Sequence, residues 1–393
     1  MRLPLGGVRV VALEQAVAAP FCSRNLADLG ADVVKIEPLE GDFARSYDTV
    51  VNGLSSYFVW LNRGKRSLAL NLRTEAGRDI LRQLMLRADV FVCNLAPGAT
   101  DRLGLDFEAL RRENPGLIWC SISGYGSDGP YRDRKGFDLL LQGEAGIIAI
   151  TGTPEQPAKV GFSIADACAG FYAFSTIMVA LYERERTGLG RRIDTSILDC
   201  LAEWMMGPAY FALYRGHDLP RAGMRHNIIV PYGPYAVGDG RMVNLAIQNA
   251  GQWQRFCRVV LERPELADDP RFSSNERRLA NREELEPLIE ATFADLTAEQ
   301  VRARLERADV PFGDLNRVVD LVVHPQLVER NRIRDVASPA GPLKAFVPPF
   351  NIEGLEPSMG AVPALGEHTA DVLAELGLTD RDLARLRGER IVG

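Results

Sequence analysis

The sequence predicts an α/β protein: a Rossmann-like large domain built on a mostly parallel sheet, joined to a smaller α+β domain. Three observations predict it. Short β-branched runs alternate with helix-length segments through the first third of the chain, the spacing of right-handed strand-helix-strand crossovers. After Pro220 the pattern changes, and Tyr232–Val237 and Met242–Ile247 flank Gly238-Asp239-Gly240, a hairpin signature. With 393 residues, 46% apolar and 25% charged, the chain has length for roughly two to three domains and the balance of one that folds throughout.

Taken in order, Val8–Leu13 reads as a strand, Pro20–Leu29 as a helix ended by Gly30, and Val33–Ile36 as the next strand. Leu68–Leu72, a helix over Glu75–Arg87, Val90–Cys93, a helix over Phe107–Glu113 stopped before Asn114-Pro115, and Leu117–Ile122 continue the alternation. Beyond Asp166 the pattern is long and helical through Met205–Tyr214, with Arg184–Arg191 as a charged break. Amphipathic helices follow at Gln252–Leu261, Arg282–Leu296 and Ala298–Ala308, and a last one at Thr369–Leu376. The expected domains are 1–200 with 325–393, holding the parallel sheet, and 222–319, with 201–221 and 320–324 as linkers.

A net charge of -6, from 46 basic and 52 acidic residues, gives no positive field to hold a nucleic-acid backbone. Only five of the basic residues are Lys. Positive charge is therefore mostly guanidinium, suited to small phosphates and carboxylates. The six scattered cysteines form no Cys-x-x-Cys pair and read as buried thiols in a reducing, cytoplasmic setting. The longest apolar stretch, Ala167–Tyr182, is short for a membrane span, so no membrane association is expected.

A literal Gly-x-Gly-x-x-Gly, Gly124 to Gly129, follows a predicted strand, yet Pro130 to Arg134 continue it as a polar loop rather than the helix a dinucleotide requires. The first strand-helix turn, Glu14 to Pro20, holds no glycine. The four histidines lie too far apart to pair as metal ligands, and no Gly-x-Ser-x-Gly elbow is present. Neither a metal nor a resident cofactor is expected. Asp166 stands at the start of a nearly uncharged helix among Ala165, Ala167, Ala169 and Gly170. It reads either as a helix cap or as a carboxylate nucleophile kept ionised by the helix N-terminus and stripped of water by apolar neighbours. Arg45, Arg73, Arg102 and Lys135 each fall near the carboxyl end of a predicted strand, the edge where open α/β sheets bind ligands.

Gly7–Glu14, Ala27–Pro38, Leu61–Leu68, Ala88–Asn94, Pro97–Gly104 and Asn114-Pro115 before Ser121–Gly126 together resemble the family III coenzyme A transferases, the family of formyl-CoA transferase and carnitine CoA transferase. The resemblance runs in order along essentially the whole chain. It implies an interlocked, ring-like homodimer, with Arg184–Asp194 and Pro311–Pro325 running between domains. It also implies an enzyme in which Asp166 is the catalytic nucleophile and coenzyme A thioesters are substrates rather than bound cofactors. Residue by residue, Gln15, Ala16, Val17 and Ala18 match the loop along the pantetheine. Arg45, Leu70, Arg73, Asn94, Leu95, Arg102, Lys135 and Phe137 match the coenzyme site, and Asp138 a substrate contact. Pro38 stands where formyl-CoA transferase has an arginine, and Ala222–Gly233 replaces the family's glycine-rich loop. There Arg225 and His226 either offer a guanidinium and an imidazole to a second substrate carboxylate or are surface residues of the small domain.

Leu13–Pro20, Gly41–Arg45 and Ser55–Gly64 are similar to the branch that uses succinyl-CoA as donor and C4 or C5 dicarboxylates such as itaconate, citramalate, malate or mesaconate as acceptors. The related α-methylacyl-CoA racemases carry a His before the Asp that here is Asp138. Phe137 fills that place, which disfavours racemisation for want of a second acid/base group. A CoA-binding module without catalysis would require an inert Asp166.

Overall fold

The computed structural model describes residues 3–393. Strands β1 (Arg9–Leu13), β2 (Asp32–Glu37), β3 (Lys65–Ala69), β4 (Val90–Cys93), β5 (Ile118–Ser123) and β6 (Arg192–Ser196) form one parallel sheet. Its order is β3-β2-β1-β4-β5-β6. Val10 pairs with Val33 on one side and Val90 on the other, so the chain reverses direction across the sheet at β1. A crevice opens at such a switch point, outside the carboxyl ends of the strands. Val10 to Leu13 and Val90 to Cys93 are buried on both faces, which is why they read as unbroken apolar runs.

The helix Ala18–Asp28 leaves β1 and packs on the helix Ile164–Thr187. Their approach depends on Gly170, where a β-carbon would lie 2.4 Å from the Ala18 carbonyl oxygen. By length and composition the helix Ile164–Thr187 is apolar enough to cross a membrane. One face is buried through Cys168, Ala169, Ala173 and Ile177, while Phe171, Val179 and Tyr182 are exposed on the other.

Two strand expectations need correction. β3 begins at Lys65 and ends at Ala69 rather than spanning Leu68–Leu72, because its first residues bury polar side chains that an apolar pattern does not register. The segment Arg184–Asp194 is not a passage between domains. It holds the end of a helix, a left-handed Gly188 and the start of β6. That strand alternates exposed and buried residues as the sheet's edge, so its charges masked it. Several helices were also unforeseen, among them Ser56–Asn62, capped by Ser55, and Asp380–Gly388, opened by a Thr379–Asp382 capping box.

Contacts divide the chain into two compact units. The first runs to Gly146 and includes Val160–Gly207 and Gln326–Gly393, with an antiparallel ribbon of β10 (Ile333–Val336) and β11 (Leu343–Phe346). The second comprises Ile147–Lys159 and Pro208–Pro325. Its three-stranded antiparallel sheet holds β7 (Tyr232–Ala236), β8 (Met242–Ala246) and β9 (Phe312–Asp314) over a core that includes Tyr235, Trp253, Phe256, Phe272 and Phe293. Within 201–221 the chain is largely helical, as Ile197–Trp204 and Met206–Arg215. Ile147–Lys159 is tied into the second unit by Gly223 N donating to the Gly152 carbonyl and by Arg221 donating to the carbonyls of Ala149, Thr153 and Pro154.

Candidate active site

At the carboxyl ends of β1, β4 and β5 the first unit encloses a cavity of about 240 Å³, lined by Gln15, Ala16, Val17, Ala18, Phe43, Asn94, Leu95, Ile122, Gly124, Arg134, Lys135, Phe137 and Asp166 among others. Asp166 is the one carboxylate among the lining residues. It sits in the first turn of the helix Ile164–Thr187, whose N-cap position is Ser163. The capping role belongs elsewhere: Asp138 Oδ1 accepts from the backbone N–H groups of Ala165 at 2.8 Å and Asp166 at 3.4 Å. Asp138 Oδ2 takes Gln142 Nε2 at 2.7 Å, and Gln142 Oε1 takes Val160 N at 2.9 Å.

This corrects the expectation that the helix N-terminus holds Asp166 ionised. Asp138 takes the free N–H groups, and its charge adds to the effect of burial. Burial first, and the Asp138 charge second, push the Asp166 carboxyl up to about 7. No described residue donates a hydrogen bond to the Asp166 carboxylate, so it is weakly solvated and correspondingly nucleophilic once ionised.

The loop after β1 forms the facing wall. Gln15 N donates to Asn94 Oδ1 at 2.9 Å and Asn94 Nδ2 donates back to Gln15 O at 2.8 Å, so Asn94 clamps this loop as well as lining the cavity. Ala16 has φ 60, in the left-handed region. The N–H groups of Val17 and Ala18, at the start of their helix, have no acceptor among the described residues. They are free donors on the same cavity as Asp166. Gly124 and Gly136 let two backbone segments cross at the rim, since a β-carbon on Gly124 would lie 3.0 Å from the Gly136 Cα. That crossing, not a phosphate, accounts for the first glycine of the Gly-x-Gly-x-x-Gly.

A second cleft of about 510 Å³ opens at the carboxyl ends of β2 and β3, lined by Leu70, Arg73, Leu95, Pro38 and Arg390 among others. Leu95 lines both spaces. The structure thus places Gln15, Ala16, Val17, Ala18, Asn94, Leu95, Lys135, Phe137 and Asp166 on the first and Leu70, Arg73 and Leu95 on the second. Five expected contacts are placed otherwise. Arg45 makes a bidentate ion pair with Glu37 at 2.7 and 2.8 Å, lies over the Phe58 ring at 3.7 Å and donates to the Pro363 carbonyl, so its guanidinium is already spent. Arg102 is exposed, its guanidinium donating to the Pro97 carbonyl. Asp138 is the helix cap described above. In the second unit Arg225 pairs with Glu286 and Glu290 over the Tyr235 ring, and His226 stacks on Tyr232 while its Nδ1 accepts from the N–H groups of Ile228 and Ile229. Their polar groups are committed to that unit's own fold.

Sequence reasoning missed Phe43 and Arg134 on the cavity. It also missed Tyr47, whose phenol is pushed up by burial and by the charges of Asp42 and Asp166. Phe43 follows Gly41-Asp42 in a turn without periodicity, and Arg134 lies in a charged loop, so neither carried a signal. No cluster of three or more potential metal ligands occurs among the described residues.

Comparison with known proteins agrees with this geometry. Residues 5–369 match the family described as CoA-transferase family III. A succinate–glutarate CoA-transferase of Agrobacterium fabrum is 35% identical over 395 residues, covering 96% of this chain and 97% of its own. A succinyl-CoA–D-citramalate CoA-transferase of Chloroflexus aurantiacus is 33% identical over 404 residues, covering 99% and 98%. The crystal structure of a CAIB/BAIF family protein from Brucella suis superimposes with a TM-score of 0.83 at 37% identity, covering 96% of this chain and 100% of that one.

Proposed function

Because the chain belongs to CoA-transferase family III, and so is a CoA-transferase acting on CoA thioesters, we propose that it moves CoA from succinyl-CoA to a small dicarboxylate with Asp166 as the covalent relay. The observation that carries this is that the lone carboxylate, Asp166, lines one cavity with Val17 and Ala18, whose N–H groups have no acceptor among the described residues. The dicarboxylate reading is supported by relatives named for succinate, glutarate and D-citramalate. It is supported also by two cations on the cavity, Arg134 and Lys135, neither of which has an ion-pair partner in Asp166.

In the proposed reaction an Asp166 carboxylate oxygen attacks the thioester carbonyl, the C–S bond breaks, and CoA leaves as thiolate with a mixed anhydride left on Asp166. The thiolate then attacks the Asp166 carbonyl carbon, the anhydride C–O bond breaks, succinate departs, and an aspartyl-CoA thioester remains. The acceptor carboxylate reverses the two steps and restores Asp166. Each tetrahedral oxyanion is met by the Val17 and Ala18 N–H groups, worth about 2.7–4 kcal/mol per donor in comparable sites. The thioester's energy is conserved only if water is excluded, and a substrate bound against the apolar side chains Phe43, Leu95, Phe137 and Ile197 would do this. Racemisation in the related enzymes uses an imidazole beside the aspartate, and no histidine lines this cavity.

We extend the proposal to a homodimer in the cytoplasm. Phe171, Val179, Tyr182, Trp204, Val318, Val322 and Val323 are exposed, an amount of apolar surface that a second copy would cover. All six cysteines are free and buried, as suits a reducing compartment. The substrate assignment is tested by an acceptor panel with succinyl-CoA as donor and the CoA products weighed by mass spectrometry. Glutarate, citramalate, mesaconate and itaconate should exceed monocarboxylates and carnitine by about 10-fold, as one charge-assisted hydrogen bond provides. Preference for a monocarboxylate would overturn the dicarboxylate assignment.

A further inference from the structure

Next to the cavity lies a cluster of buried charges that the proposed reaction does not use. Glu14 Oε1 accepts from Lys65 Nζ at 2.6 Å, and Glu14 Oε2 from the Ser23 hydroxyl at 2.6 Å. Lys65 Nζ also donates to the Pro20 carbonyl and to Asn62 Oδ1, each at 3.0 Å. Lys35 Nζ stands 3.5 Å from Glu14 Oε1 and 2.9 Å from Asp42 Oδ2. The side chains of Glu14, Lys35, Lys65 and Asp42 are all 0% exposed. Two cations thus balance two anions wholly out of water. An arrangement of this kind is seldom more stable than apolar side chains of the same volume, so its benefit lies in the geometry it fixes.

The geometry it fixes is at Asp42 Oδ1. That oxygen accepts from Ala44 N at 3.0 Å and from Ala16 N at 3.3 Å. Ala16 lines the cavity and is held at φ 60, a conformation residues with a β-carbon rarely adopt. Phe43, enclosed between Asp42 and Ala44, lines the same cavity. One buried carboxylate therefore ties both segments to each other, and Lys35 holds that carboxylate in place.

We propose that Asp42 is a positioning residue for CoA transfer: through its hydrogen bond to Ala16 it holds the loop after β1 in its left-handed turn, so that the N–H groups of Val17 and Ala18 face the reacting carbonyl. The Lys35–Glu14–Lys65 cluster fixes the Asp42 carboxylate in place through the Lys35 ammonium. This rests on the transfer reaction proposed above.

The test is Asp42→Asn in steady-state transfer from succinyl-CoA, expressed per folded protein by circular dichroism and thermal melting. kcat should fall about 10–100-fold, the cost of a small misplacement of catalytic groups, while KM for succinyl-CoA changes less than about 3-fold. Adding Ala16→Gly to Asp42→Asn should recover about 10-fold of the loss, because glycine takes the left-handed turn without help. Should Asp42→Asn not fold, the pair Lys35→Met with Asp42→Asn leaves no unpaired buried charge, and the same two readings apply to it. A normal kcat per folded protein, or a loss that Ala16→Gly does not relieve, would overturn the positioning role. A wild-type protein that moves no CoA defeats the transfer reading and this proposal with it, whereas an active wild type with an equally active Asp42→Asn defeats the positioning role alone.

Discussion

At Asp166 the two roles open to a helix-start aspartate make opposite predictions for stability. A cap stabilises its helix, so its loss costs about 0.5–2 kcal/mol. A buried nucleophile with its carboxyl raised to about 7 from 3.8 is instead a burden. The folded protein holds a proton there that the unfolded chain has released, so stability falls as pH rises between those values. Asp166→Asn should therefore melt at a higher temperature than wild type at pH 8, by at most about 4 kcal/mol of stability, with the gain shrinking toward zero as the pH falls to 4. Equal melting at both pH values, or a loss at pH 8, would restore the cap. Asp166 stood out because small apolar neighbours around a lone acid are a local pattern, while the choice between cap and nucleophile came only from the family resemblance. The fates of Arg45 and Arg225 were not legible. Arg45 was chosen for its place after a strand and Arg225 for its place in the stretch that replaces the family's glycine-rich loop, yet Glu37, Glu286 and Glu290 reach them through the folded chain.

A single helix start joins structure to chemistry at the next scale. Asp138 both caps the helix Ile164–Thr187 and raises the Asp166 carboxyl through its charge. Asp138→Asn keeps an acceptor for the cap but removes the charge. The acid limb of kcat/KM should move to lower pH by about 0.5 unit or more, with the melting temperature within about 3 °C of wild type. An unmoved limb in titrations of rate against pH would mean that burial alone sets the Asp166 carboxyl. The readable elements were β4, buried on both faces, and the helix Phe107–Glu113, opened by the Asp106 cap and stopped before Asn114-Pro115; both have the bounds the sequence implies. β6 was hidden because an edge strand shows water every second residue, and β3 because Lys65 and Ser67 are polar and buried. Hydrophobic patterning cannot distinguish a buried ion pair from a surface charge, so the cluster around Glu14 was invisible in one dimension.

For the molecule as a whole, the exposed apolar residues on the helix Ile164–Thr187 and around Val318–Val323 call for cover, and light scattering should return twice the chain mass of 43.3 kDa. A value of one chain mass would refute the dimer without touching the chemistry. The class of the fold was legible because alternation of strands and helices is a property of the whole pattern. The joint between units was not, since Ile147–Lys159 joins its unit through a bond from the Gly223 N–H and through the Arg221 guanidinium, far along the chain. The central claim is that Asp166 carries the acyl group and then CoA. It is tested most directly by quenching turnover with hydroxylamine and mapping the modified peptide by mass spectrometry. The account predicts a hydroxamate on Asp166 that appears only with acyl-CoA present, and an Asp166→Ala protein that binds CoA but forms neither adduct nor product. Transfer at the wild-type rate by Asp166→Ala, or turnover that leaves Asp166 unlabelled, would contradict it.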